Sequence, residues 1–119
     1  MKAILLVSHG SRSPQTKAEV SSLVDILRQR LPGNIVDFAF LEIESPTIPE
    51  GIDKCVSQGA ADIVVTLNFL NAGRHVNEDI PAIVSEAAKK YPTAKFTISK
   101  PVGQHLFIPN LFIDLINNA

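Results

Sequence analysis

Ile63-Val-Val-Thr-Leu-Asn68-Phe-Leu-Asn-Ala-Gly-Arg-His75-Val-Asn-Glu-Asp-Ile-Pro81 joins a strand, a loop and a helix in a form that decides the fold class. The run Ile63 to Leu67 is almost wholly aliphatic rather than alternating, which predicts a strand covered on both faces. Gly73, Arg74 and His75 follow it. Pro81 is tolerable only in a first helical turn, so the helix is expected to begin between Val76 and Ile80 and to run to Tyr91. The same order of events occurs near the start of the chain. Ala3 to Val7 is aliphatic, Ser8-His9-Gly10-Ser11-Arg12 is a loop, and Ser13 precedes Pro14 as N-cap and first helical residue. Two of the three histidines therefore sit where a strand gives way to a helix.

Outward from these stretches the alternation continues. The first helix runs to about Leu31 on the stripe Val20, Leu23, Val24, Leu27 and Leu31, and Pro32-Gly33-Asn34 stops it. Ile35 to Leu41 reads as a strand, and Thr47-Ile-Pro-Glu50 as a capping box opening a helix that ends near Gln58-Gly59. The helix after His75 is expected to bury Ile80, Ile83, Val84, Ala87 and Ala88. Lys95 to Ser99 is a less apolar strand suited to an edge. Pro101-Val-Gly103-Gln-His105 then turns into a last helix striped by Leu111, Phe112, Leu115 and Ile116. The order βαβαβαβα predicts a single α/β domain over residues 1–119, a three-layer α/β/α sandwich around a four-stranded parallel sheet. Right-handed crossovers and helices on both faces favour strand order 2-1-3-4. That order makes the strands before His9 and His75 neighbours, at the reversal where open α/β sheets bind ligands.

Composition narrows the function classes. With 119 residues, 45% of them hydrophobic, 19% charged and a net charge of -1, the chain has the balance of a soluble globular domain. Nothing in that charge attracts nucleic acid or an anionic membrane surface. The single cysteine, Cys55, excludes an internal disulfide and fits a reducing cytoplasm as a small buried hydrophobe. The apolar run Ala3 to Val7 is too short for a signal-peptide core, and no stretch approaches the ~20 apolar residues that span a bilayer.

A lone histidine between a buried strand and a glycine is most simply bonded to a backbone carbonyl. Two such histidines at equivalent turns point instead to a shared site, with His9 and His75 serving as ligands of a divalent ion or as general bases near neutral pH. Two imidazoles are too few to hold an ion permanently, so a substrate must complete the shell. Gly10 and Gly73 provide either a positive φ or room for a flat ligand against the backbone. Arg12 and Arg74 either clamp carboxylates or pair with Glu44 and Glu78. Ser8, Ser11 and Ser13 near a helix start form a natural anion cradle. Glu42 and Glu44 follow the second strand at the same edge, as a proton acceptor, an aid to cation recruitment or plain surface carboxylates. Glu78 and Asp79 suit the helix dipole. His105 is assigned a structural or peripheral place.

The ordered set Leu6-Val-Ser-His-Gly-Ser-Arg12, Phe40-Leu-Glu42 with Ser45-Pro46, Phe69-Leu70, Gly73-Arg-His75-Val, Asp79-Ile-Pro81 and Pro101-Val-Gly103 resembles the class II tetrapyrrole chelatases. It is most similar to the short sirohydrochlorin cobaltochelatases of archaea, and the likeness covers the whole chain, although Asn71-Ala72 before Gly73 departs from the family pattern. The resemblance implies that His9 and His75 bind metal and catalyse, with Glu42 at the family's acidic position. It implies Co²⁺ as the substrate metal, sirohydrochlorin as the tetrapyrrole, and a homodimer that reproduces the two lobes of longer chelatases. Arg12, Arg74 and the serine loop, with Gly10, Ser11 and Gly73, would then meet the macrocycle and its carboxylates.

No GxxxxGK[ST] string is present, so neither ATP nor an organic cofactor is expected. Ni²⁺ and Fe²⁺ remain alternatives, because imidazole accepts all three ions. From another class, a phosphohistidine carrier of a phosphotransferase system explains His9 but leaves the His75 motif without a purpose. A histidine phosphatase fits less well, since Ser8 stands where an arginine is usual. A tetrapyrrole- or metal-binding module without turnover is the third competitor.

Overall fold

Strand and helix alternate throughout the computed structural model, which describes residues Met1–Ala119. The elements are β1 (Lys2–Ser8), α1 (Pro14–Arg30), β2 (Ile35–Phe40), α2 (Ile48–Ser57), β3 (Asp62–Leu67), a π-turn (His75–Asp79), α3 (Ile80–Lys90), β4 (Lys95–Pro101), a 3₁₀ turn (Val102–Gln104) and α4 (Ile108–Asn117). All pairings are parallel and the sheet order is β2-β1-β3-β4, as the helix-strand alternation predicts. The register slips between β3 and β4 after Val65, which leaves β4 irregular at the edge.

The two faces of the sheet are covered unequally. Ala3, Leu5, Val7, Ile63, Val65 and Leu67 pack with Ile48, Ile52 and Cys55 of α2 and Ile80 and Val84 of α3 in the larger core. On the other face Leu6, Val36 and Phe40 meet Val20, Val24 and Leu27 of α1 in a smaller core. Burial of these aliphatic side chains, at roughly 1.5–3 kcal/mol each, supplies the main drive to fold. Asp37 is buried between the layers, with Lys54 of α2 2.8 Å from its carboxylate.

Several local expectations hold with a physical reason. Thr47 and Glu50 form a complete capping box at α2. Ser13 is the N-cap residue of α1, but its side chain makes no capping bond. α3 begins at Ile80, within the expected window, and a π-turn over His75–Asp79 leads into it, in which the Ile80 N–H donates to the His75 carbonyl. The wider turn precedes Pro81, which lacks an N–H and would crowd the carbonyl four residues back in a regular helix. Ala88, Leu23 and Leu31 lie exposed instead of completing their stripes. The apolar stripe of α4 exists but is uncovered, since α4 packs mainly on the Val102–Gln104 turn. No helix is long and apolar enough to cross a membrane.

Candidate metal-binding site

β1 and β3 lie side by side, so the loops leaving their carboxyl ends meet. There His9 and His75 stand with ring centroids 5.1 Å apart at 49°. Glu42, just past β2, places Oε1 2.7 Å from His9 Nε2. One donor atom from each of His9, Glu42 and His75 lies within 4.8 Å of the other two. Two ligands sharing one ion at ~2.0–2.2 Å are about 3.0–3.5 Å apart, so a small opening of the His9–Glu42 contact admits a cation. All three side chains remain about half exposed.

The backbone explains why the carboxylate arrives there. Leu41 and Glu42 donate N–H groups to the carbonyls of Ser8 (2.9 Å) and His9 (3.0 Å), extending the β1–β2 ladder past the sheet. Gly10 has φ +106°, and a Cβ on it would lie 1.9 Å from the Glu42 carbonyl oxygen, so only glycine permits the two loops to touch. Ile43 also adopts a positive φ of 73°, a costly conformation for a β-branched residue that turns the chain directly after Glu42.

His75 is oriented from behind. Its Nδ1 lies 2.6 Å from Asp79 Oδ2 across the π-turn. That bond keeps the proton on Nδ1 and leaves Nε2 free to bind. Asp79 is a candidate site residue that sequence alone gives to the helix dipole, although its spacing of four from His75 is the available signal.

The other candidates occupy varied places. Glu78 pairs with Arg74 at 3.0 Å on an exposed flank. Arg12 is exposed, and no hydrogen bond or ion pair holds it. The serine cradle is already occupied by an anion of the chain itself. Glu44 Oε1 accepts the Ser11 N–H at 2.8 Å, Ser11 Oγ accepts the Ser13 N–H at 3.0 Å, and Ser8 Oγ accepts from Asn68 Nδ2 at 3.0 Å. Gly73 has no positive φ and nothing within 4 Å of a built Cβ, so its smallness leaves open space beside His75. The His105 ring lies tilted against Phe107 with centroids 5.0 Å apart, and its Nδ1 accepts the Phe107 N–H at 3.0 Å, a local cap apart from the histidine pair. None of the chain's three cavities is lined by His9, Glu42 or His75; the site is an open shelf.

Comparison with known proteins gives the family and the fold. A family model described as CbiX matches residues 3–119. The chloroplastic sirohydrochlorin ferrochelatase of Arabidopsis thaliana is 34% identical over 115 residues, which cover 97% of this chain and 49% of that protein. The sirohydrochlorin cobaltochelatase of Sulfolobus acidocaldarius is 36% identical over 103 residues, covering 87% of this chain and 80% of that protein. The crystal structure of the sirohydrochlorin chelatase SirB from Bacillus subtilis subspecies spizizenii in complex with cobalt superposes with a TM-score of 0.90 at 30% identity, covering 98% of this chain and 50% of that one. The chain thus spans about half the length of the Arabidopsis and Bacillus relatives.

Proposed function

The chain belongs to the CbiX family, and on that premise we propose that it is a sirohydrochlorin chelatase working at the His9–Glu42–His75 shelf. The observation that carries the reading is the convergence of two imidazoles and a carboxylate from three different loops within 4.8 Å. Co²⁺ is the first choice of ion, with Fe²⁺ and Ni²⁺ as alternatives. The Sulfolobus relative, of which this chain covers 80%, is a cobaltochelatase, whereas the longer Arabidopsis relative is a ferrochelatase.

Insertion exchanges one hydrated divalent ion for two pyrrole protons. The ion is held first by Nε2 of His75, the only nitrogen Asp79 leaves free, and by the His9–Glu42 couple. As it passes into the ring, His9 and Glu42 are released as bases beside the pyrrole N–H groups and take up the two protons. Both are about half exposed and return them to water. Arg12, exposed and unpaired, and Arg74, exposed beside Glu78, would meet the macrocycle's carboxylates. We assign the working form as a homodimer in the cytoplasm, two copies together matching the length of relatives of which this chain covers about half.

A phosphohistidine carrier is less well supported. His9 Nε2 faces Glu42 at 2.7 Å, and that carboxylate would repel an incoming phosphoryl group. Incubation with sirohydrochlorin and Co²⁺, Fe²⁺ or Ni²⁺ under anaerobic conditions, followed by absorbance, tests the proposal. Protein-dependent insertion of at least one ion is expected. An unchanged spectrum with all three would overturn it.

A further inference from the structure

α4 is a helix with no surface beneath it, and part of the sheet is a surface with no helix above it. Asn110, Asp114, Asn117 and Asn118 line one stripe of α4 and its cap, while Leu111, Phe112, Ile113, Leu115 and Ile116 fill the rest of the circumference. That apolar arc is wider than the ~100° a one-sided surface helix shows. Seven apolar side chains between Leu106 and Ile116 are more than half exposed, with Leu106 at 77% and Ile116 at 70%.

On the sheet, α1 meets side chains of β1 and β2 only. Strand alternation turns Val64, Thr66 and Thr97 toward that same side, opposite Val65, Phe96 and Ile98 of the larger core. No helix of the chain covers them. Next to them, at the carboxyl ends of β3 and β4, a groove of about 580 Å³ opens, with Thr66, Leu67, Ser99, Lys100, His105 and Leu106 among its lining.

We propose that two copies of the chain exchange α4, each helix lying in the groove on the β3–β4 face of the other copy. The chain carries both halves of one complementary pair, so a reciprocal exchange closes with two-fold symmetry and leaves neither half exposed. At on the order of 100 Å² per apolar side chain, the two helices and the partner surfaces they cover together remove more than ~1,200 Å² from water, enough for a stable dimer. A membrane surface is the weaker occupant: residues 101–119 contain no Lys or Arg, the residues that draw amphipathic helices to anionic lipid. The departure of α4 is also fixed. Gly103 donates its N–H to the Phe69 carbonyl at 3.0 Å, and a Cβ there would sit 1.7 Å from the Leu70 carbonyl oxygen. The base of the exchanged helix is thereby braced on the loop that leads to His75.

This inference rests on the two-copy reading above and adds the contact that makes it. The full-length double variant Thr97→Cys/Leu115→Cys, treated with a short bis-maleimide and run on a denaturing gel, tests the exchange. Cys55 stays silent, fully buried with its thiol pushed up to about 11 by that burial. A covalent species of twice the chain mass is expected, and linkage within a single chain would overturn the exchange. In parallel, Phe112→Asp/Leu115→Asp is expected to halve the sedimenting mass with an unchanged circular dichroism spectrum. A wild-type dimer that survives these substitutions would overturn the exchange and leave the two-copy reading standing. A wild-type monomer at micromolar concentration would overturn both.

Discussion

Asp79 holds Oδ2 2.6 Å from His75 Nδ1, four residues along the same π-turn. The pair is a carboxylate–histidine couple of the kind that sets the tautomer of a metal ligand. Asp79→Ala is expected to weaken Co²⁺ binding and slow insertion by about 10–100-fold while leaving thermal stability nearly unchanged, since both side chains are about half exposed. Titration with Co²⁺ followed by absorbance checks this. An unaltered affinity would remove Asp79 from the site.

Glu42 touches His9 Nε2 directly, and in the proposed reaction its charge would serve proton uptake as well as the ion. Glu42→Gln keeps the size and one acceptor oxygen. It is expected to lower kcat by about a hundredfold and KM by much less, because general-base contributions are of that order. A loss confined to KM would assign Glu42 to binding alone.

Gly10 is where the fold and the site are least separable. With φ at +106° and the Glu42 carbonyl 1.9 Å from a built Cβ, Gly10→Ala forces the two loops apart. A loss of at least ~1–3 kcal/mol in urea denaturation is expected, together with loss of insertion. Gly73→Ala, where a Cβ meets nothing, is expected to leave stability unchanged.

The surface between α2 and α3 supplies a pH signature away from the site. The Tyr91 hydroxyl, at 2.6 Å, and then Lys90 hold the Asp53 carboxyl below its usual range. The same bond to Asp53 raises the Tyr91 hydroxyl above its own. A depressed carboxyl stabilises the fold above about pH 4 and ceases to as pH falls through its folded value. A raised tyrosine stabilises below about pH 10 and ceases to as pH rises past it. Tyr91→Phe is therefore expected to be less stable than the parent at neutral pH, with the difference shrinking in acid and in strong alkali. Urea midpoints across pH check it, and a constant difference would sink it.

Sheet order and the meeting of His9 with His75 were legible because aliphatic runs mark buried parallel strands, and a parallel sheet brings their exits to one edge. Glu42 was legible by place, as the residue following β2. Asp79 was not, because a carboxylate in a first helical turn has a sufficient dipole explanation until the π-turn aims it at the ring. Ser11 and Ser13 misled in the other direction. A serine-rich helix start resembles an open anion site, and it takes the fold to bring Glu44 into it from 33 residues away. The stripe of α4 was readable, but periodicity says which face is apolar and nothing about what covers it.

His9 and His75 are proposed to act on one ion as a unit, and a double-mutant cycle on insertion into sirohydrochlorin tests this most directly. His9→Ala and His75→Ala are each expected to cut the rate by about a hundredfold or more, and the double variant to be little slower than either single one. Independent, multiplicative losses, or a single variant that keeps close to the parental rate, would contradict a shared site.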